Sequence, residues 1–427
     1  MLSTEQTNQG NLHSMNDLHI LDAFGVIRGR FILPRMLILV SLCLIFNAKA
    51  VNAEPYIPES DTQILEYLPK KLISSDLKID DLVKQFELKP TDEIKREELI
   101  NAYLQKAKST GDMRYVSYAQ NRLEYWLQET PKSEKARFLN ARLMQYEHKF
   151  KESIEELNSL LIEYPENTKA WSLLANLYLI TGNYDAAKAS CKQLSIRTNL
   201  TDALICQSNI MIRTGELRKS FKVLNTILPT ANKMSAKRRL WLYTSLAEIM
   251  IQQGNNEKAG QYLEQAMSLV KDNDFHDAYL SRLNVDYLIQ NHKYKKAFSL
   301  IYDENNDTAL MIRSAMLAKK LDDYVIFDSN KATLSQIFNV EKRRGQSQHL
   351  REQALFNLVI LESSSIALEL AKQNWSVQKE PEDARILMKS ALAVGDIEQI
   401  QLIKLMIKET GLIDARINLT SLRDSLI

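Results

Sequence analysis

The chain is 427 residues long, with 45% hydrophobic and 25% charged residues, ordinary values for a folded protein that can bury a sizeable core. It holds only 11 Gly and 9 Pro, too little turn punctuation for a β-rich fold of this size, which fits helices joined by short connections. Its 55 basic and 53 acidic residues leave a formal net charge of +2, so bulk electrostatics favours neither nucleic acid nor an anionic membrane surface.

At the N-terminus, Arg28, Arg30 and Arg35 precede an apolar run from Met36 to Phe46. A bilayer span needs about 20 apolar residues, and this run has the shorter length of a signal-peptide core. Two small-x-small sites follow, Ala48-Lys49-Ala50 and Val51-Asn52-Ala53. Residues 1–53 are therefore predicted to be a signal peptide with a long polar leader, cleaved after Ala53, with Met15 as an alternative start. The mature chain is expected to be periplasmic and to keep no membrane span. An uncleaved N-terminal anchor is the alternative. Residues 54–99 are expected to form a non-repeat helical cap, its second helix beginning after Pro90-Thr91-Asp92.

From residue 100 the chain repeats. Pro131 and Pro165 lie 34 residues apart, as do Ala107, Ala141 and Ala175, and again Ala119, Ser153 and Ala187. Three registers agree on the period of a helix–turn–helix array. The clearest unit runs from Trp171 through Leu174, Ala175 and Tyr178 to Gly182, Tyr184 and Ala187. Trp171, Leu174 and Tyr178 fall on one helical face. Ala175 and Ala187 are small where two helices cross closely, and Gly182 can end the first helix in the left-handed conformation. Further units are expected around Gly215, Gly254 and the Tyr294–Ala297 pair. Beyond residue 305 the pattern blurs: Asp322–Lys342 is ambiguous, and helix pairs return around Ala367–Trp375 and Ala391–Ile397. Five or six clear units and two degenerate ones are expected, the array occupying residues 100–305 and a degenerate, capping region 306–427.

The Trp171 unit resembles the tetratricopeptide repeat family, whose pattern is W-x2-L-G-x2-Y followed by G-x-Y-x2-A. The whole chain is also similar to exported tetratricopeptide proteins of Gram-negative bacteria, at Pro55-Tyr56-Ile57-Pro58 and again from Arg351 to Arg385, a group that carries no activity over to this chain. The resemblance implies an all-α, right-handed α-solenoid whose first helices line a concave face. Projected onto this chain, the family's groove positions are Arg142, Tyr146, Asn176, Asn209, Arg213, Trp241 and Gln252, with Glu248 beside them. Such a mixed polar and aromatic lining suits an extended peptide or a helix. Ser172 stands where the family's carboxylate-binding variant needs a base, which argues against capture of a C-terminal carboxylate.

No catalytic motif, phosphate-cradling loop or metal-ligand spacing is present. Of the mature histidines, His148 and His292 sit at turns and are expected to be solvated, and no metal or cofactor is expected. The basic runs Lys237-Arg238-Arg239 and Lys342-Arg343-Arg344 lack interleaved aromatics, so no nucleic acid is expected as a partner. Cys43 lies in the segment expected to be removed. Cys191 and Cys206 face one repeat boundary and are expected either to form a disulfide or to remain two buried thiols. The function expected is a non-catalytic interaction scaffold in the bacterial envelope that binds another protein or peptide. A chaperone or assembly factor for an outer-membrane or secreted complex is the alternative, and an enzyme is a minor third.

Overall fold

The computed structural model describes residues 77–110, 114–273, 277–302, 307–345 and 348–417. The chain divides into two units, Met1–Leu65 and Glu66–Ile427, and all described residues belong to the second. The predicted signal peptide, Cys43 and the first part of the predicted cap lie outside the described residues. Among those described, 82% are helical, in 19 α-helices with no strand. The fold is an all-α helical-repeat solenoid.

Helix α1 (Leu77–Leu88) is followed by nine consecutive helix pairs. They are α2–α3 (Glu93–Thr110, Arg114–Glu129), α4–α5 (Glu134–Tyr146, Phe150–Glu163), α6–α7 (Thr168–Ile180, Tyr184–Ser195) and α8–α9 (Leu200–Arg213, Leu217–Ile227). Next come α10–α11 (Ala236–Gln252, Asn256–Asp272), α12–α13 (Ala278–Gln290, Tyr294–Ile301) and α14–α15 (Thr308–Lys320, Tyr324–Arg343). The last are α16–α17 (Leu350–Val359, Ser364–Val377) and α18–α19 (Pro381–Val394, Ile397–Thr410). The extra residues between α9 and α10 form a 3-10 turn at Leu228–Lys233.

The array is longer than the sequence pattern indicates. The segment after Pro90 is the first helix of a repeat, because α2 pairs with α3 and runs across the expected boundary at residue 99. The ambiguous Asp322–Lys342 stretch is the helix α15. The small residues at the 34-residue registers are buried at the helix crossings: Ala107, Ala119, Ala141, Ser153 and Ala187 are each 0% exposed. Where Ser replaces Ala, its hydroxyl finds a partner, as buried groups must. Ser153 Oγ donates to the Ala141 carbonyl at 2.7 Å, and Ser208 and Ser220 share a hydrogen bond at 2.5 Å.

Six first helices start on side-chain caps. Ser133, Asn167, Asn199, Ser235, Asp277 and Asp307 each accept a hydrogen bond from the backbone three residues on. The core is a series of apolar clusters, some of which share members. Trp171 and Tyr178 join the cluster of Leu157, Leu160 and Leu174 to that of Leu179, Cys191 and Ile210. Phe298 and Leu355 make the same links further on.

The C-terminal end returns to the middle of the array. The Lys379 N–H donates to the Ile180 carbonyl at 2.7 Å, and the Ala415 N–H donates to the Gln252 carbonyl at 2.9 Å. Three consecutive inter-helix turns each receive a contact. Lys379 lies over Gly182, the Gly411 backbone over Gly215, and Ala415 over Gly254.

Candidate concave binding site

A cavity of about 590 Å³ opens on the inner side of α4, α6, α8 and α10. Phe138 and Arg142 of α4 form one end, Trp241 of α10 the other, and Leu173, Asn176, Ile205 and Asn209 lie between them. The repeat explains the layout. Consecutive first helices stand side by side, so equivalent positions one repeat apart, such as Asn176 and Asn209, become neighbours across the groove.

Four of the seven groove residues expected from the sequence line this cavity: Arg142, Asn176, Asn209 and Trp241. The side chains of Asn176 and Asn209 make no hydrogen bond to any other described residue, and Asn176 is exposed. Arg142 is half-buried and donates to the Asn101 amide oxygen. Burial pulls its guanidinium below the usual range, and Glu97 partly offsets this.

The other three are placed differently. Tyr146 packs against the cluster of Leu139 and Leu143, and burial raises its phenol pKa. Gln252 is 0% exposed. With its amide NH2 turned toward them, it donates to the Ile212 and Ile413 carbonyls at 3.2 Å. Arg213 is covered by the chain's own Glu380, with Nη2 to Oε1 at 3.0 Å. Burial opposes the Arg213 charge, but Glu380 and Glu248 outweigh it and hold the guanidinium above its ordinary range. Gln252 and Arg213 are therefore corrected from groove lining to contacts of the returning C-terminus.

Sequence reasoning missed the charged cluster that anchors this return. Arg313 donates to both Asp286 oxygens at 2.6 and 2.8 Å and to Glu382 at 2.9 Å. Arg351 grips Asp383 at 2.6 and 2.9 Å, and Asp414 accepts from Arg385 at 2.7 Å. Burial raises the carboxyl pKa of Glu380, but Arg213 and Arg351 outweigh it and hold the group below its usual range. The acidic run Glu380-Pro381-Glu382-Asp383 was the available signal, but it has no repeat register.

Cys191 of α7 and Cys206 of α8 meet at the boundary between two helix pairs. The Cys191 and Cys206 sulfurs are joined as a disulfide, with Cα atoms 5.6 Å apart, within the usual range for such a bridge. Cys206 itself lines the cavity. His292 is exposed and hydrogen-bonded to Tyr294 at 2.8 Å. His148, expected to be solvated, is half-buried against Phe150, and burial pushes its pKa down to about 4. Among the described residues no group of His, Cys, Asp or Glu could hold a metal ion. No helix among them is long and apolar enough to cross a membrane.

Against known proteins, a tetratricopeptide repeat family model matches residues 168–194 and 242–273, the pair α6–α7 and most of α10–α11. No curated protein matches the chain. A solved tetratricopeptide repeat protein from Parabacteroides merdae ATCC 43184 is 14% identical, covering 73% of this chain and 98% of that one at a TM-score of 0.36. The structure of the APC/C hetero-tetramer Cut9-Hcn1 is 13% identical, covering 80% of this chain and 64% of that one at a TM-score of 0.46. Tetratricopeptide repeats generally mediate protein–protein interactions, and the fold is typically a non-catalytic scaffold.

Proposed function

We propose that the chain is an exported, non-catalytic scaffold that binds an extended segment of a partner protein in the cavity between Phe138 and Trp241. The observation that carries this reading is the pair Asn176 and Asn209: two side-chain amides that line one cavity, without partners among the described residues. An amide offers both a donor and an acceptor, the two groups that an extended backbone presents at each residue. Leu173, Ile205 and Trp241 supply apolar surface beside them for the partner's side chains.

Size favours the extended segment of the two candidate partner shapes. A three-turn helix with its side chains fills roughly 1,500 Å³, being about 16 Å long and 11 Å across. The open cavity of about 590 Å³ would take only one face of such a helix. An extended segment of a few residues fits, with its ends projecting into solvent. Export is supported by the basic stretch, short apolar run and small-x-small sites of residues 28–53.

The test uses full-length chain expressed in a Gram-negative bacterium and recovered from the periplasmic fraction with its N-terminus at Glu54. Peptides selected on it from a displayed random library are measured by calorimetry. Each lost amide hydrogen bond is worth about 1 kcal/mol, so Asn176→Ala with Asn209→Ala should weaken binding about 30-fold. Lys258→Ala, on the outer face, should leave it unchanged. Equal binding by both variants would sink the site, and recovery only from the cytosol would sink the export.

A further inference from the structure

We propose that residues 378–380 and 411–417 form a releasable strap over the far half of the concave face, and that its opening decides how much of that face a partner reaches. The proposal rests on the reading of the concave face as the partner surface. Three observations carry it.

The strap first covers partner positions. Arg213 lies one helical turn beyond Asn209 on α8, and Gln252 occupies the matching end of α10. Both would continue the open groove if the chain's own segment did not lie on them. The strap also makes the contacts that an extended ligand makes. Two backbone amides donate to helix-end carbonyls, Lys379 to Ile180 at 2.7 Å and Ala415 to Gln252 at 2.9 Å. One carboxylate, Glu380, sits on Arg213 at 3.0 Å.

Finally, the contact is polar and incompletely satisfied. Between residues 411 and 417, Leu412 is the one buried apolar side chain, and Ile413 and Ala415 are exposed. The apolar cluster of α16–α19 shares no member with the clusters built from α4–α13. Val377 reaches across to the cluster of Leu174 and Leu177. The Arg213 Nε is buried without a hydrogen-bond partner. A buried ion pair returns in attraction little more than it loses in desolvation, so Arg213–Glu380 fixes where the strap lies more than it holds it shut. On release Glu380 keeps Arg351, at 3.4 Å, and Asp414 keeps Arg385 and Arg416. The strap can therefore leave without stranding its own charges; because Glu380 also caps α18 through Asp383, the first turn of α18 frays with it while the helix interior stays packed in its cluster. A partner segment carrying a carboxylate could then take Arg213.

The test is hydrogen–deuterium exchange on the whole mature chain without any partner, so its outcome does not depend on whether the Asn176–Asn209 cavity binds peptide. The strap amides, at Lys379 and Ala415, should exchange at least about 100-fold faster than interior amides of α8 and α18, as expected of a sub-global opening. They should exchange faster still in about 1 M salt, where the screening length is about 3 Å. Glu380→Gln should speed them further and leave α8 and the interior of α18 protected. Phenylglyoxal labelling of Arg213, read by mass spectrometry, should rise in parallel. If strap and interior α18 amides exchange at one common rate in low and high salt, the strap belongs to the cooperative core and the proposal is wrong. Loss of protection in α8 and the interior of α18 in Glu380→Gln would overturn it as well.

Discussion

At the residue scale, the turn inside each described helix pair that ends in a left-handed residue sets the most local constraint. Positions 148, 182, 215, 254, 292, 322, 362 and 395 all have positive φ, from 53° to 82°. Gly fills four of them, and His148, His292, Asp322 and Glu362 fill the rest. A non-glycine residue there costs about 1–2 kcal/mol, which tertiary packing must offset. This is why the repeat is legible around Gly182 and fades later: the conformation persists while its sequence marker is replaced. Gly215 and Gly395 separate the backbone cost from the contact. A Cβ on Gly395 meets open space, whereas one on Gly215 would fall 1.7 Å from the Gly411 carbonyl oxygen. Gly395→Ala should therefore cost about 1 kcal/mol, and Gly215→Ala about 3 kcal/mol or more, because the strap must move as well. Urea midpoints check this, and equal losses would count against the strap contact.

His148 gives a pH dependence with a definite sign. Burial lowers its folded pKa to about 4, below about 6.5 in the unfolded chain. The unfolded state takes up the proton first as pH falls. The stability that depends on neutral His148 is therefore complete above about pH 6.5 and lost progressively toward pH 4. The groups facing it across the packing are Glu352, His349 and Arg351. His349 works in the opposite sense: burial opposes its charge, but Glu341 outweighs burial and raises its pKa, so its contribution fades as pH rises. Asn tolerates the left-handed conformation and does not titrate. His148→Asn should therefore lose about 2 kcal/mol less than the natural chain between pH 7 and pH 5. Parallel urea titrations at the two pH values test it.

At the element scale, the helix pairs were legible wherever small residues mark the crossings. The registers through Ala107 and Ala119 lead to the buried contacts between α2 and α3. The α14–α15 pair was obscured because Phe327 stands where Ala187 would repeat, although Ala315 keeps the first small position, and the neighbouring Ser314 and Asn330 are joined by a buried hydrogen bond at 3.0 Å. Polar residues at a crossing erase the apolar pattern without opening the crossing, since each satisfies the other. The α7–α8 boundary carries its own fastener. Cys191 and Cys206 are separated by 15 residues, and a bridge closing such a loop stabilises by about 3 kcal/mol in the chain-entropy account. Alkylation of the unfolded, unreduced chain should leave both thiols unmodified. Replacing both by Ser should lower stability by a similar amount and loosen the cavity wall at Cys206. Full alkylation without reductant would show that the bridge does not form.

At the scale of the whole described array, the candidate groove was half legible. Repeat register is a local property, and four of the positions it picks out, Arg142, Asn176, Asn209 and Trp241, line one cavity. It cannot report that a segment about 170 residues later returns to that wall, since no periodic signal links Glu380 to Arg213. That return divides the concave face into an open strip and a covered one, and the account depends on the division. The most direct measurement is a hydrogen-exchange footprint of the tightest library-selected peptide on the whole chain. The account predicts new protection on the inner faces of α4, α6 and α8 and around Trp241, with none on the outer helices α5, α7 and α9. Protection confined to the outer helices, or to the C-terminal pair α18–α19, would contradict it.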